Sequence, residues 1–512
     1  MSSTRTHHVK SLRLGTRGSA LAMAQSRLIA NALEREHPGL QIALIDVETR
    51  GDRDQRIPLS DVKDTNFFSA ELDAALLNHD VDFCVHSIKD LGIERPNGIV
   101  RAAIPARENP RDVIVFRGDV IERLRQGQPV RIGSSSTRRK INVEQFIVDA
   151  LPQFTKKPCL QFSSLRGPVD KRLTRIHRAS GEPDALDGVV LALAGLNRLW
   201  CDPAGRKAVA PFLADVRWMV LPPSVCPAAP GQGALALECR HDDSTTRTLL
   251  GSLHDAETAT LVQRELDFIR DLPPNQGAGM GVTALKPDAL GPLMYVHGPQ
   301  AGSNGAIWDR PPAPSHARAW DGGQISAEGQ HRRLPVKVRV RASAAVFAAH
   351  WHAVTESVSI DGAARTWVSG TKSWRRLAER GLWVEGCADS LGFSNIVSTL
   401  DCKVLDLPPL KDWTVLTHRD AVASWGGTGV GPVIATYVPA PPMNAASLRE
   451  SVRKATHFFW GSAGEYRTMK AWVPAGAHHA CGAGKTGDAL RKLGIDKPQA
   501  FPSRKEWQTW LR

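Results

Sequence analysis

Val85-His86-Ser87-Ile88-Lys89-Asp90 closes an apolar, β-prone stretch that begins at Val81. The pattern is that of a buried strand ending in polar residues. Ligands of open α/β sheets bind at the carboxyl ends of the strands, so Lys89 and Asp90 are candidates for a site. A carboxylate beside a cation stays ionised and can stabilise positive charge on a bound intermediate. Taken alone, the run reads first as a surface Lys-Asp pair closing a strand.

Working outward, residues 11 to 105 alternate strand and helix. Leu12 to Leu14 is a strand, Thr16-Arg17-Gly18-Ser19 a turn and cap, and Ala20 to Glu36 an amphipathic helix that stops before Pro38. Ile42 to Val47 is a second strand, and Ser69 to Leu77 a helix. This rhythm predicts a mostly parallel sheet. Residues 110 to 215 repeat it. Val130 to Ile132 leads into Gly133-Ser134-Ser135-Ser136-Thr137-Arg138-Arg139, a turn whose backbone N–H groups suit an anion and whose arginines suit carboxylates. Leu165-Arg166-Gly167, Arg172 and, after the apolar strand Gly188 to Leu193, Arg198 follow. Singly, each arginine reads as surface. With Arg17 they form a cleft for a ligand carrying several carboxylates. Pro230-Gly231-Gln232-Gly233 then leads the chain back toward the first domain.

The 512 residues exceed one core, so several domains are expected. No run approaches the roughly 18 apolar residues of a membrane span, and the first residues carry no apolar signal. The eight cysteines are scattered without metal-ligand spacing. A cytoplasmic protein with reduced thiols, no metal and no membrane partner is expected. The net charge of +13 comes without basic runs interleaved with aromatics, so no nucleic acid is expected. An anionic small molecule accounts for the charge as well as a solvated basic surface does.

Residues 300 to 335 read as loop or linker. Ten of the fourteen tryptophans lie from Trp351 onward. Thr366 to Gly370 and Phe458 to Ser462 each read as a strand, a small-residue turn and then a helix, which suggests two related α/β lobes. Gly482-Ala483-Gly484-Lys485-Thr486 lacks the glycine spacing of a phosphate-binding loop.

The motifs Leu14 to Ser19, Thr49-Arg50-Gly51-Asp52, His86 to Asp90, Gly133 to Arg139, Leu165 to Gly167, Leu193 to Arg198 and Pro230 to Gly233, in this order, resemble those of hydroxymethylbilane synthase, also called porphobilinogen deaminase. The resemblance implies an α/β fold. Two periplasmic-binding-protein-like domains (10–108 with 220–241, and 109–219) are followed by a small α+β third domain (242–300). A linker (301–340) and a bilobal α/β C-terminal region (341–512) complete the chain. It implies polymerisation of porphobilinogen with ammonia release in tetrapyrrole biosynthesis. Asp90 is the implied catalytic carboxylate. Arg17, Arg138, Arg139, Arg166, Arg172 and Arg198 are implied to hold substrate carboxylates, with Ser19, Ser87, Lys89 and Ser135 in supporting roles. The family anchors a dipyrromethane cofactor on a cysteine, but Gln276 stands at that position, and a glutamine amide cannot make the thioether. Dipyrromethane is therefore expected not to be covalently attached, and a pyrrole oligomer would be held noncovalently. Asp61 and Thr65 stand where two lysines are expected, with Lys63 as a partial substitute. The last 165 residues resemble uroporphyrinogen-III synthase more weakly, with Tyr466 and Ser462 as candidate polar residues. The alternative is a non-catalytic protein that binds linear tetrapyrroles or porphyrins.

Overall fold

A computed structural model describes residues 10–49, 69–92, 94–154, 156–273, 276–299, 304–322, 331–439 and 445–512. Ten strands build two sheets of matching design. Ser11–Thr16 (β1), Gln41–Asp46 (β2), Phe83–Ser87 (β3) and Ile99–Ala103 (β4) belong to the first sheet, with Leu235–Arg240 (β10) returning to it. Asp112–Arg117 (β5), Val130–Gly133 (β6), Leu160–Ser163 (β7), Gly188–Ala192 (β8) and Val216–Val220 (β9) form the second. The orders are β2-β1-β3-β10-β4 and β7-β6-β8-β5-β9. In each, three strands are parallel and the fourth, β10 or β5, runs antiparallel to both neighbours.

The apolar runs explain which strands are central. Val113 to Phe116 and Val189 to Leu191 are fully buried, as strands covered on both faces must be. β2 has no fully buried residue and is an edge. The helix Ala20–Glu36 buries Ala24, Ile29, Ala30 and Leu33 along one stripe, and the Ser19 side chain caps it by accepting from Ala22 N at 3.3 Å.

Two segments, 104–111 and 221–234, link the sheets. A smaller unit grips the second. The helix Ala256–Arg270 packs on an antiparallel sheet of Gly281–Leu285, Leu293–His297 and Gly305–Trp308. Buried Glu265 of that helix accepts from both Arg107 Nη atoms (2.8 and 3.0 Å), from Gly231 N (2.6 Å) and from Ala284 N (2.6 Å). One carboxylate thus ties the small unit to both linking segments.

The segment expected as a linker, 301–340, contains Gly305–Trp308, Ala319–Trp320, His331–Arg333 and Val338–Val340, strands of four separate sheets. Its Gly and Pro content suggested loop. The short apolar pairs Ile307-Trp308 and Ala319-Trp320 were too brief to show periodicity, yet Trp308 and Trp320 are buried.

The C-terminal region builds three further sheets, the smallest being the parallel pair Val338–Val340 and Val358–Ile360. Strands Trp413–His418, Ala345–Ala348, Arg365–Val368, Gly386–Cys387 and Val433–Pro439 are parallel, with His331–Arg333 as an antiparallel edge. Ala319–Trp320, His457–Trp460, His478–Gly482 and Gln499–Phe501 form a parallel four-stranded sheet. The chain therefore enters the second lobe, crosses to the first and returns.

The second five-stranded sheet and the six-stranded sheet meet edge to edge. Val220 N donates to Glu385 O at 2.7 Å. Cores are shared on both faces: Ile114, Phe116 and Phe146 with Val346 and Trp374 on one, Val113 and Trp218 with Phe347 and Trp367 on the other. Trp374 Nε1 donates to Ala150 O at 3.0 Å and Trp383 Nε1 to Trp218 O at 3.1 Å, so both indoles are buried with their donors satisfied. Among the described residues no helix is long and apolar enough to cross a membrane.

Replacing Glu265 with alanine strands the Arg107 guanidinium and two backbone N–H groups in the interior. We expect a loss of about 3–5 kcal/mol, read as a lowered urea midpoint. An unchanged midpoint would show that the carboxylate does not hold these units together.

Candidate functional site

Every candidate outside the third unit sits at the carboxyl end of a strand. Arg17 and Ser19 follow β1, and Ser87 closes β3 ahead of Lys89 and Asp90. Ser135, Arg138 and Arg139 follow β6, Arg166 and Arg172 follow β7, and Arg198 lies in the helix Leu193–Cys201 after β8. This common placement is what the strand-helix rhythm demands.

Asp90 is exposed, at the end of the single turn Ile88–Asp90. That turn is cast against Pro230 to Ala234. Gly231 and Gly233 have φ of +70° and +88°, where side chains are strained. A Cβ on Gly231 would lie 2.5 Å from Ile88, and one on Gly233 would lie 2.3 Å from Glu108 O. Ile88 N donates to Ala234 O at 3.1 Å. Only glycines allow this close approach of the two segments.

Gln232, between those glycines, is 1% exposed. Its Oε1 accepts from Lys89 Nζ at 3.4 Å, and its Nε2 donates to Pro110 O at 2.7 Å and Asp112 Oδ1 at 2.9 Å. Arg107 Nε donates to its backbone carbonyl at 2.8 Å. The side chain thus joins the lysine beside Asp90 to the second sheet.

Arg138 and Arg139, expected to hold carboxylates of a ligand, have one inside the protein. Asp112 takes Arg138 Nη1 at 2.8 Å and Arg139 Nη2 at 2.8 Å, and all three residues are buried. Burial raises the Asp112 carboxyl, but the two guanidinium groups outweigh it and hold it well below the usual carboxylate range. Burial lowers Arg138. Two cations against one carboxylate leave this wall of the cleft with an excess positive charge.

Arg166 and Arg172 are different. Among the described residues no carboxylate bonds either one; Arg172 Nε donates to Gly167 O at 2.6 Å, and Arg166 Nη1 is buried without a hydrogen-bond partner. Burial first, then Arg139, pushes Arg172 down to about 10, while Asp90 pulls it up. Burial lowers Lys89, and Asp90 again opposes the shift. Asp90 of the first sheet and Arg172 of the second therefore act on each other across the cleft. Arg198 is buried, pushed down to about 10 by burial, and donates to Gly233 O at 2.6 Å. It braces the second linking segment. Arg17 is half-buried and close enough to His86 for its charge to act there.

The serines hold backbone. Ser19 caps its helix, and Ser87 Oγ accepts from Gln25 Nε2 at 3.0 Å. Ser135 Oγ donates to Leu165 O at 2.5 Å and accepts from Leu165 N at 3.0 Å, which pins the loop carrying Arg166. Ser462 caps the helix Ala463–Met469, and Tyr466 is buried against Trp460. Arg50-Gly51-Asp52, Asp61, Lys63 and Thr65 lie outside the described residues.

Gln276 is half-buried in a turn, its N–H donating to Pro273 O at 3.0 Å. The run is Gln276-Gly277-Ala278-Gly279-Met280, so no residue of it supplies a thiol. No other cysteine of the first half substitutes: Cys84 and Cys239 are buried within strands of the first sheet. Cys226 is 2% exposed, its Sγ donates to Asn142 O, and burial pushes its pKa well up. Cys159 precedes β7 and so stands at the amino end of that strand, away from the carboxyl end that Arg166 follows. Cys201 ends a nine-residue helix, about 13 Å from the strand end where that helix begins. The covalent attachment of a dipyrromethane does not fit this set of residues.

Asp73, His86 and Glu238 form the one group with metal-ligand spacing among the described residues. Arg95 already occupies it, with Nη2 at 2.5 Å from Asp73 and 2.8 Å from Glu238. The cluster is a buried ion-pair network. Sequence reading missed Asp112, Arg107, Glu265 and the side-chain role of Gln232. Asp112 had a signal: a lone carboxylate at the head of the apolar run Val113 to Phe116.

The two α/β sheets thus gather arginines and Lys89 at their carboxyl strand ends, with Asp90 exposed among them. Residues 12–248 match the family model described as porphobilinogen deaminase, dipyromethane cofactor binding domain. The chain belongs to the porphobilinogen deaminase family, which places it in tetrapyrrole biosynthesis. The porphobilinogen deaminase of Syntrophotalea carbinolica is 39% identical over 263 residues, 51% of this chain and 74% of that one. That of Sorangium cellulosum is 40% identical over 255 residues, 50% and 75% respectively. A periplasmic substrate-binding protein of an ABC transporter from Coxiella burnetii overlays at a TM-score of 0.26 with 13% identity, covering 50% of this chain and 97% of its own; at that score it adds nothing to the strand orders.

Burial, reinforced by Arg95, pushes His86 down to about 4 from 6.5, so it is neutral when folded. An unfolded chain binds that proton at higher pH. Its stabilising effect is complete above pH 6.5 and is lost as pH falls through about 4. Urea midpoints between pH 7 and 4 should fall less steeply in His86→Gln than in the parent; parallel curves would refute a neutral buried His86.

Proposed function

We propose that the cleft condenses porphobilinogen, a pyrrole with two carboxylate side chains, and releases ammonia. The observation that carries this reading is that Lys89 and Asp90, after a strand of the first sheet, and Arg166 and Arg172, after a strand of the second, all stand at carboxyl strand ends, with the charge of Asp90 felt at Arg172. When the C–N bond of the protonated aminomethyl group breaks, ammonia departs with the bonding electrons and leaves a cationic methylene-pyrrole. The methylene carbon bonds to the α-carbon of the next pyrrole, and that carbon gives up its proton to solvent. The Asp90 carboxylate stabilises the cation. Arg166, Arg172, Arg17 and Lys89 hold the carboxylates as bidentate or point-charge partners. The paired Arg138 and Arg139 act at a distance through their excess charge over Asp112, and Arg198 keeps Gly233 in place. The growing pyrrole chain is held by these charges alone.

A second reading is a non-catalytic holder of linear tetrapyrroles or porphyrins. The thiol-free run from Gln276 to Met280 favours it. For the C-terminal region we propose a uroporphyrinogen-III-synthase-like role. The support is its pair of parallel-sheet lobes, one inserted into the other along the chain.

Purified full chain is incubated with porphobilinogen, and product is read by absorbance after acid oxidation. Turnover is expected, with Asp90→Ala lowering it about 100-fold or more, and with the intact mass of the parent unchanged. Gln276→Cys is expected to gain the mass of a dipyrromethane. Absence of turnover together with tight binding of hydroxymethylbilane would establish the second reading. A dipyrromethane adduct on the parent chain would refute the noncovalent one. Supplying preformed hydroxymethylbilane and assaying for the type III isomer tests the C-terminal role.

A further inference from the structure

The only covalent links between the two five-stranded sheets are 104–111 and 221–234, so any change in cleft opening must bend both. Both are tied to the same short stretch of the C-terminal region. In the first, Asn109 Nδ2 donates to Thr399 Oγ1 at 2.7 Å and Arg111 Nη1 to the same oxygen at 3.0 Å. In the second, Ser224 N donates to Asp389 Oδ2 at 3.0 Å, and Ser224 Oγ bonds the other carboxylate oxygen. Asn109, Arg111, Asp389 and Thr399 are all buried. Burial raises the Asp389 carboxyl, opposed by Ser224 and by the charge of Arg111.

The backbone at Asp389 is unusual. Asp389 and Ser390 have φ of +55° and +62°, two consecutive non-glycine residues in the left-handed region. Such residues persist only where their surroundings over-determine them. Here Asp389 is fixed by Ser224, and Ser390 N donates to Ser369 O at 2.8 Å. The strain aims the Asp389 carboxylate at the second linking segment.

We propose that the C-terminal region clamps the hinge of the deaminase-like half, with Thr399 holding the first linking segment and Asp389 the second, so that both are positioning residues for the cleft. The second sheet and the first C-terminal lobe then move as one body. The bend is confined to the parts of the links nearer the first sheet. The effect on pyrrole binding rests on the function proposed above; the clamp itself does not.

The test is hydrogen exchange on the full chain, with porphobilinogen affinity measured alongside. Thr399→Val keeps the shape and removes the hydroxyl. Amides in 104–111 should exchange about tenfold faster, as expected for loss of a buried hydrogen bond, while β1 to β3 are unchanged. Thr399→Ser should restore the parent rate, which a packing role alone would not predict. Asp389→Ala should do the same in 221–226; if it does not fold, Ser224→Ala removes the contact from the other side. Exchange within twofold of the parent in both segments overturns the clamp. Faster exchange with unchanged porphobilinogen affinity overturns the positioning role. If the parent chain does not bind porphobilinogen, the function proposed above fails while the exchange rates still decide the clamp.

Discussion

The side chain of Gln232 is the narrowest point through which the cleft is organised. It is a neutral amide in the interior with both ends used: Oε1 for Lys89, Nε2 for Asp112 and Pro110. An amide can serve a cation and a carboxylate at once because it carries an acceptor and two donors. No charged side chain offers both. On one side of it stands the turn that presents Asp90. On the other stands Asp112, which fixes Arg138 and Arg139. Leaving any of these groups unpaired in the interior would cost about 1–3 kcal/mol each, so the glutamine holds the two walls in register. Its position is set by Gly231 and Gly233, where a side chain would collide with Ile88 or Glu108.

Much of this was legible in the sequence. The strand ends fell where apolar runs met polar residues, and the helix Ala20–Glu36 was bounded by Ser19 and Pro38 as its capping chemistry requires. The arginines were legible as a set because each followed a strand. What the residues could not show was which arginines already had partners. Arg138 and Arg139 look like Arg166 and Arg172 in the sequence, but Asp112 reaches the first pair only through a strand that runs antiparallel into the sheet's middle. The burial of Arg198 was equally hidden, since its acceptor is a backbone carbonyl from another segment. Short strands such as Ala319–Trp320 were invisible because two residues carry no period.

The distribution of charge bears on the missing thiol. A covalent anchor holds a growing chain irrespective of electrostatics. Without one, the affinity must come from cations that are desolvated and incompletely compensated. The cleft has this character: Arg172 and Lys89 are both pushed down by burial and have Asp90 as the opposing charge. In the proposed function, the carboxylates of the substrate would supply the charge these two cations lack. Attraction of this kind is screened by salt less when the groups are partly buried.

The C-terminal region shapes this cleft without lining it. β9 would be an exposed edge if the chain ended with the third unit, and Phe116, Phe146 and Trp218 would lose the indoles and aliphatic side chains packed on them. An edge of this kind invites non-native pairing. Packing the Gly386–Cys387 strand beside it, with Val220 N donating to Glu385 O, covers the edge and shares a core on both faces. The same docking brings Asp389 and Thr399 to the linking segments, because they follow the docked strand within a dozen residues. Sealing the edge of the second sheet and holding the hinge are thus consequences of one packing arrangement, and a change in the geometry of that edge must be felt at Ser224 and Asn109.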